Sequence, residues 1–353
     1  MKTIIQLPYY PGEIYNSKPV VQLDNIKKIL SKAEDAGFET GVQIFPGAAH
    51  PSLPYFTENM NTVLNTIKYI IDEKLWSNST FHVPICPKIP QEGLNLGKKE
   101  SINFHRNLLN SIKNTKIKDL ILHPNTIYYV SKYSKNNLEE AANFTSNAIM
   151  LAKELPHFNF AYENMPFPVM SDFSANPIEV NIEPNLTTLE SINKFSSAIE
   201  SQKNISLCFD TSHYLITKNS IEYFREHEEL LSNKNIQILV SSLSHNISNK
   251  EDAKKILDAI SLPNLSKITN SQINEIQIGD TGRSWIPAIN QTGYIIEEGL
   301  PLEKGVRNFD EIIGFIRENI KKQDIKLSFD IEETDYISRP NQTKSLDTFL
   351  EII

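Results

Sequence analysis

Five short apolar runs in this sequence end in side chains that commonly bind divalent metal ions. Histidine and carboxylate groups together suit Zn, Mn, Co or Fe(II). Each residue alone has an ordinary structural explanation, such as a helix N-cap or a loop position. A shared metal site is favoured because three of the eight histidines and three carboxylates recur at equivalent positions. The metal candidates of this set are His82, His123, Glu163, Asp210 and Asp330, with His213 three residues after Asp210.

Eight β-like runs of the chain predict the strands that must position these residues. Stretches with helical periodicity lie between most of them, and alternation of strands with helices predicts parallel strands joined by crossovers. The eight runs are Thr3–Leu7, Thr40–Phe45, Thr80–Ile85, Asp119–His123, Asn159–Asn164, Ile205–Asp210, Glu275–Asp280 and Lys326–Glu332. The helical stretches include 21–36, 56–72, 138–155 and 309–320.

Alternation inside the runs favours closure of the sheet. Leu207 and Phe209 alternate with Ser206, Cys208 and Asp210, so the bulky and the small or polar residues face opposite sides. Bulky residues can pack under helices while the polar set faces an axis, and active sites of barrels lie at the C-terminal ends of the strands. We therefore expect an α/β fold, a (β/α)8 TIM barrel, although an open doubly wound sheet remains an alternative. The whole chain, 1–353, is expected to form one domain with a helical insertion at about 232–273, after strand six.

Charge and cysteine content narrow the possible partners. The net charge of −8 disfavours a nucleic-acid partner, because duplex-binding proteins usually carry a basic face. The two cysteines, Cys86 and Cys208, lack metal-binding spacing and predict a reducing, cytoplasmic setting. Neither a signal peptide nor a bilayer-spanning run is expected. We expect a small-molecule substrate and no membrane partner, and a homo-oligomer remains possible.

The motifs around the candidate ligands resemble those of the xylose-isomerase-like superfamily, which includes sugar isomerases, epimerases and endonuclease IV. The resemblance covers about residues 80 to 335. Its most specific element is the run Asp210-Thr211-Ser212-His213. The weaker elements are His82, the pair His123-Pro124 and the pair Glu163-Asn164.

Within this superfamily, the segment 277–283 and the later segments 301–305 and 309–313 look most like those of ketose 3-epimerases. This resemblance implies one metal held by Glu163, Asp210, Gln277 and Asp330. It also implies that Glu163 and Asp330 move protons and that His213 and Arg283 bind substrate hydroxyls. Asp280 and Glu332 are further candidates for contact with the substrate.

Two residues depart from the epimerase pattern. Gln277 stands where the family has histidine, and Asp330 stands where it has glutamate, so Glu332 could serve instead. His82 and His123 keep the endonuclease IV positions that bind an additional metal with Glu163. The Asp-x-His of the following loop is missing near 297–299, so the resemblance implies one or two ions rather than three.

The sequence therefore predicts a divalent-metal-dependent isomerase or epimerase of a sugar, cyclitol or related polyol. Such an enzyme removes a proton next to a metal-bound carbonyl, and the metal stabilises the charge that develops. Three alternatives remain open: an endonuclease IV-like phosphodiesterase on damaged DNA, a metal-dependent lyase or tailoring enzyme of small-metabolite biosynthesis, and a barrel that binds a ligand without catalysis.

Overall fold

The computed structural model describes residues 1–11, 19–46, 64–65, 78–83, 95–124, 128–129, 135–167, 169–172, 179–243, 249–262, 265, 268, 272–282, 298–302, 309–333 and 335–353. Its strands are β1 (Thr3–Tyr9), β2 (Glu39–Ile44), β3 (Thr80–His82), β4 (Asp119–Leu122), β5 (Tyr128–Tyr129), β6 (Asn159–Glu163), β7 (Val169–Asp172), β8 (Glu179–Ile182), β9 (Ile205–Asp210), β10 (Ile273–Gln277) and β11 (Ile325–Ser328).

The helices in the described part of the chain are α1 (Pro19–Asp35), α2 (Lys99–Ile112), α3 (Lys135–Ala142), α4 (Phe144–Glu154), α5 (Leu189–Ile199), α6 (Thr211–Glu226), α7 (Lys234–Ser241), α8 (Lys250–Ala259), α9 (Phe309–Ile320) and α10 (Pro340–Ile352). A 3-10 helix, Glu228–Ser232, follows α6. None of the helices in these ranges combines the length and the apolar character needed to cross a bilayer.

Eight of the strands form a closed parallel barrel in the order β1-β2-β3-β4-β6-β9-β10-β11, and β11 pairs again with β1. Each of the eight strands lies within or next to a predicted run. The (β/α)8 barrel is thus confirmed, and the open doubly wound alternative is wrong. The closed order has a functional consequence, because it brings the ends of distant strands around one axis.

The main hydrophobic core lies between the barrel wall and the surrounding helices, as the alternation predicts. Leu207 and Phe209 belong to this core, whereas the inward-facing Cys208 forms a small separate cluster with Ile121 and Ala161. Polar residues also fill the inside of the barrel: Glu275 on β10 accepts hydrogen bonds from Gln43 on β2 and Thr80 on β3. The side chains of Glu275 and of Gln277, two residues later, therefore face the axis.

Strands β10 and β11 end three and four residues earlier than the sequence predicts. After Ser328 the backbone makes tight local hydrogen bonds, from Asp330 N to Ser328 O and from Ile331 N to Phe329 O. Strand alternation therefore stops before Asp330 and Glu332 and does not set the directions of their side chains. Asp330 is half-buried and Glu332 is exposed. Strand β10 likewise ends at Gln277, and Asp280 instead pairs with Leu300 in an isolated bridge.

Some helical predictions match and others change. Helix α9 coincides with the predicted range, and α1 lies within two residues of its prediction at the start. The predicted helix 138–155 is two helices, because Asn143 N bonds to Glu140 O, a tighter turn than an α-helix has. Most of the predicted helix 56–72 lies outside the described residues.

The segment after the sixth barrel strand, which is β9, contains the expected extra helices. Helices α7 and α8 pack with α6 around a second hydrophobic cluster that includes Phe224, Leu239 and Leu257. Phe167, which follows the candidate ligand Glu163 by four residues, joins this cluster and connects the insertion to the rim. A three-stranded antiparallel sheet, β5-β8-β7, was not predicted because its strands are only two to four residues long.

Candidate metal centre

Glu163 is the carboxylate at the centre of the candidate site. Its Oε2 lies 3.2 Å from His82 Nε2 and 3.2 Å from His123 Nε2. The three residues end, or directly follow, the neighbouring strands β3, β4 and β6. His82 and Glu163 are buried, and the side chain of His123 is 11% exposed. Closure of the barrel has therefore brought together three of the predicted ligands.

The hydrogen bonding of His82 prepares its ring to bind a cation. His82 Nδ1 lies 3.2 Å from Val83 O, and a carbonyl can only accept, so this bond places a proton on Nδ1. Nε2 is therefore the ring nitrogen that would bind a cation, in place of its hydrogen bond to Glu163 Oε2. Two ligands held about 2.1 Å from a tetrahedral ion lie about 3.4 Å apart. The 3.2 Å separation from Glu163 Oε2 therefore fits a shared cation.

Phe45 fixes the plane of the His82 ring. The two rings are stacked, with centroids 4.6 Å apart and an interplanar angle of 21°. Tyr10 also stacks on Phe45, at 5.4 Å, and Tyr336 meets Tyr10 edge-on at 5.3 Å. The three buried aromatic residues Phe45, Tyr10 and Tyr336, which we call the aromatic wall, extend from His82 along the barrel mouth.

Asn164 couples Glu163 to Asp210. Asp210 N donates to Asn164 Oδ1 at 2.6 Å, and Asn164 Nδ2 donates to Asp210 O at 3.0 Å. This pair of bonds closes a ring between the ends of β6 and β9. The Glu-Asn dipeptide therefore has a physical purpose, since its amide sets the spacing of the two carboxylates.

The Asp-Thr motif joins β9 to the next two strands. The Thr211 hydroxyl donates to Gly279 O at 2.7 Å and accepts from Gly279 N at 3.1 Å. A Cβ at Gly279 would lie 2.5 Å from Ser212 Oγ and 2.9 Å from Asp330 O. Only glycine allows β9, β10 and the residues after β11 to approach this closely.

Gln277 is the most informative single residue of the site. It is fully buried, and neither its Oε1 nor its Nε2 has a hydrogen-bond partner among the described residues. It shares the inward parity of Glu275 and pairs in register with Asp210 on the neighbouring strand. A buried amide without partners costs several kcal/mol, about 1–3 for each group. Such an arrangement is expected where a ligand completes the bonding.

The charges around Glu163 and Asp330 displace their pKa values in opposite directions. Burial opposes ionisation of Glu163, but the charge of His123 and the hydrogen bonds of His123, His213 and His82 outweigh it and hold its pKa well below the usual value. Burial, followed by the negative charges of nearby carboxylates, raises the pKa of Asp330 well above its usual value. Those carboxylates belong to Asp210, Glu163, Glu332 and Glu298. The mouth thus holds an excess of acid that a divalent cation would compensate.

His213 is engaged at both ring nitrogens. Nδ1 lies 2.7 Å from Asn164 O, and Nε2 lies 2.8 Å from Glu298 Oε1. A carbonyl accepts only, and a carboxylate accepts when ionised, so both nitrogens carry protons and the ring is a cation. Burial lowers the pKa of His213, but Asp210, Glu298 and Glu163 outweigh burial and raise it well above the usual value. In the described part of the chain His213 also forms a possible three-ligand group with Glu163 and Asp210, and it would have to release a ring proton to bind an ion there.

The remaining predicted site residues are at the rim or beyond the described chain. Arg283 lies outside the described residues. Asp280 is buried, and its Oδ1 accepts from Thr281 N at 2.8 Å, while burial raises its pKa to about 6. Glu332 is exposed by surface area, but desolvation of its carboxylate by the surrounding protein, followed by the charge of Glu298, raises its pKa to about 7. Asp330 does not join a three-residue ligand group in this geometry.

Glu298 is a functional candidate that the sequence motifs did not identify. It follows residues outside the described part and precedes Gly299, whose φ of +66° is accessible to glycine without strain. This turn points Glu298 at His213. The signal was present in the sequence as a Glu-Glu-Gly run, where the endonuclease IV pattern has its missing ligands.

Comparison with known proteins gives structural similarity only. No protein-family model matches this chain, and no curated protein sequence matches it. A solved D-tagatose 3-epimerase-like protein is 15% identical, with a TM-score of 0.47, and the match covers 100% of this chain and 98% of that one. A 3-keto-D-glucoside 4-epimerase from E. coli is 10% identical, with a TM-score of 0.49 and 98% coverage of both chains.

A third similar structure is a zinc-bound protein named IOLI, which is 11% identical with a TM-score of 0.47, covering 98% of this chain and 95% of that one. Sugar epimerases are thus among the similar structures, as the motif resemblance predicted. The strand pairing of this chain defines its barrel fold. Fold and site together define a closed (β/α)8 barrel with a candidate metal centre at its C-terminal rim.

Proposed function

We propose that this chain is a divalent-metal-dependent isomerase or epimerase of a sugar, cyclitol or related small polyol. The observation that carries the proposal is the position of Glu163 Oε2 at 3.2 Å from both His82 and His123 within the barrel mouth. Beside them are Asp210 and the amide of Gln277, which has no hydrogen-bond partner in the described part of the chain. Mn, Zn, Co and Fe(II) all accept such donors. When bound, the metal would polarise a carbonyl and a neighbouring hydroxyl of the substrate.

The proton-transfer roles follow from the two displaced pKa values. The lowered pKa of Glu163 favours the carboxylate, which suits a base, and the raised pKa of Asp330 favours the carboxylic acid, which suits a proton donor. Pairs of titratable groups whose environments separate their pKa values are typical of acid–base catalysis. Glu332 is the alternative acid, because its pKa of about 7 also lies near neutrality.

The other polar residues would hold the substrate. His213 lies beside Glu163 and is held as a cation, so it would orient an oxyanion or hydroxyl of a substrate that replaces Glu298 as the acceptor at Nε2. Arg283 and Asp280 remain proposed contacts for distal hydroxyl groups. The aromatic wall would shield the reacting carbon from water on the side of Phe45.

Deuterium exchange tests the reaction whatever its product is. Metal-free protein would be reloaded with Mn²⁺ or Zn²⁺ and incubated in D₂O with ketohexoses, ketopentoses and keto-cyclitols. We expect deuterium to enter next to the carbonyl of at least one compound, as measured by ¹H NMR. The exchange should vanish on chelation and in Glu163→Gln, and it should persist in Glu154→Gln, whose carboxylate pairs with Arg106 at the surface.

Protein that binds metal stoichiometrically but exchanges no proton in this panel would contradict the proposal. The same incubations also distinguish a lyase, because elimination of water removes the substrate carbinol signals and creates vinyl signals.

A second candidate is a metal-dependent phosphodiesterase acting on damaged DNA. The observation that favours it is a second possible set of metal ligands, Glu163, Asp210 and His213, beside the set that contains His82 and His123. Two-metal sites are common in nucleases. The net charge of −8 opposes it. Cleavage of a duplex with one abasic site, dependent on Glu163 and metal, would support this candidate over the isomerase.

A further inference from the structure

We propose that Arg339 is a positioning residue of the metal centre. It acts through the aromatic wall, which transmits the position of its guanidinium group to the ring of His82. The consequence for metal binding rests on His82 being a ligand, as in the proposed function, whereas the position of the His82 ring does not depend on any metal.

Arg339 is a fully buried cation that connects three elements of the barrel. Its Nη1 donates to Pro8 O at 2.8 Å in β1 and to Gln342 Oε1 at 2.7 Å in α10, and its Nη2 donates to Gln22 Oε1 at 3.3 Å in α1. These acceptors are neutral, and its φ of +50° is a conformation that favours glycine. A buried cation and a left-handed backbone are both unfavourable, so the contacts of the guanidinium group must offset both effects.

The guanidinium group also restrains two rings of the aromatic wall. Its Cζ lies 5.4 Å from the centroid of the Tyr336 ring, within the distance of a cation–π contact. Its hydrogen bond to Pro8 O holds the backbone two residues before Tyr10. Arg339 therefore restrains Tyr336 directly and Tyr10 through the end of β1.

A continuous series of ring contacts connects these restraints to His82. Tyr336 meets Tyr10 edge-on, with centroids 5.3 Å apart and planes at 90°. Tyr10 stacks on Phe45 at 5.4 Å and 27°, and Phe45 stacks on His82 at 4.6 Å and 21°. Each of the three wall residues is at most 6% exposed, and closely packed rings do not tilt independently. A displacement of Tyr336 should therefore displace the His82 ring.

The orientation of His82 matters because its Nε2 lies 3.2 Å from Glu163 Oε2, where a shared cation would bind. Removing a residue that orients a metal ligand typically reduces metal affinity by about 10- to 100-fold. Arg339 acts through intervening rings, so we expect its loss to fall at the lower end, about 10-fold.

The first test needs no metal. The whole 353-residue chain would be labelled with ¹³C at the histidine Cε1 atoms, and the His82 signal would be assigned by its loss in His82→Gln. The Phe45 ring shields the imidazole that it covers. Arg339→Met should therefore move the His82 signal downfield in metal-free protein. Arg339→Lys keeps a cation but not the forked donors, so it should restore only part of the shift.

Arg225→Met is the matched control. Arg225 Nε donates to Leu257 O at 3.0 Å and its Nη2 donates to Ile260 O at 2.6 Å, within the helical insertion. The control also removes a guanidinium group that bonds to carbonyls, but away from the aromatic wall. It should leave the His82 signal and the metal affinity unchanged. Tyr336→Leu, which removes the ring beside the guanidinium group, should shift the signal as Arg339→Met does and serves if that variant does not fold.

The second test measures Co²⁺ affinity by visible absorption. Arg339→Met should weaken Co²⁺ binding by about 10-fold. If Arg339 acts through Phe45, the same substitution should cause no further weakening in a Phe45→Leu background, because the connection is already interrupted.

An unchanged His82 signal in folded Arg339→Met would overturn the proposal. So would equal shifts in Arg225→Met, an unchanged Co²⁺ affinity, or fully additive weakening in the double variant. Wild-type protein that binds no Co²⁺ would contradict the metal dependence of the proposed function, while the His82 signal of metal-free protein would still decide whether Arg339 positions the ring.

Discussion

Replacement of Glu163 by glutamine should weaken both zinc binding and the metal-free fold. The change keeps the shape of the side chain and removes one charge that faces three imidazoles at 3.1–3.2 Å. Removing one member of a buried charge pair typically costs about 3–5 kcal/mol. Loss of a direct ligand should reduce zinc affinity by at least about 100-fold, about 2.7 kcal/mol.

The stability change can be converted to a melting temperature. Unfolding entropy is about 2.1 cal/mol/K per residue, which gives about 740 cal/mol/K for 353 residues. A loss of about 3–5 kcal/mol therefore lowers Tm by about 4–7 °C. Differential scanning calorimetry of metal-free protein measures this shift, and isothermal titration with Zn²⁺ measures the affinity.

Glu154→Gln is the matched control. This substitution also replaces a carboxylate by an amide, but at the surface, where the Glu154 carboxylate pairs with Arg106 at 2.6 Å and both side chains are partly solvated. Exposed pairs contribute at most about 1 kcal/mol, so Tm should change by less than about 1.5 °C and zinc affinity should stay constant. Equal effects of the two substitutions, or undiminished zinc affinity in Glu163→Gln, would refute the assignment of Glu163 as the central ligand.

Three further predictions concern stability and geometry. Burial lowers the pKa of His105 to about 4, so its contribution to stability is present above about pH 6.5 and lost as pH falls to about 4; His105→Gln should reduce acid destabilisation by up to about 3 kcal/mol in urea titrations at these two pH values. Gly279→Ala should cost about 1–3 kcal/mol and weaken metal binding, since its Cβ would meet Asp330 O at 2.9 Å, whereas Gly314→Ala, with open space at its Cβ in α9, should gain about 0.5–1 kcal/mol. Arg339→Met should cost about 1–3 kcal/mol because it leaves the acceptors Pro8 O and Gln342 Oε1, which the fully buried guanidinium contacts at 2.8 and 2.7 Å, without their donor; an unchanged stability in chemical denaturation would mean that this contact is dispensable.

The local sequence determined the strands well because parity is a short-range property. Leu207 and Phe209 alternate with polar residues, and this alternation alone identified the outward and inward faces of β9. The same reasoning does not extend past Ser328, because local hydrogen bonds bend the backbone there and end the strand before Asp330 and Glu332. Alternation says nothing about where a strand stops.

The protonation of His213 shows a different kind of limit. The sequence marks this histidine as a candidate but cannot reveal that Glu298, 85 residues away, accepts from its Nε2. That contact depends on a turn at Gly299 and on the position of β10 beside β9. The sequence also cannot show that the buried amide of Gln277 lacks a hydrogen-bond partner among the residues that the structure describes, because only a folded chain defines which atoms are buried together.

The sequence by itself thus determined which residue types stand at the strand ends, and that strands and helices alternate along the chain. Only the tertiary structure decided that the sheet closes, that Glu163 faces His82 and His123, and that both ring nitrogens of His213 hydrogen-bond to oxygen acceptors. The physical reason is range. Propensity and periodicity act over a few neighbouring residues, whereas ligand geometry and pKa values are set by atoms that the chain brings together across the barrel.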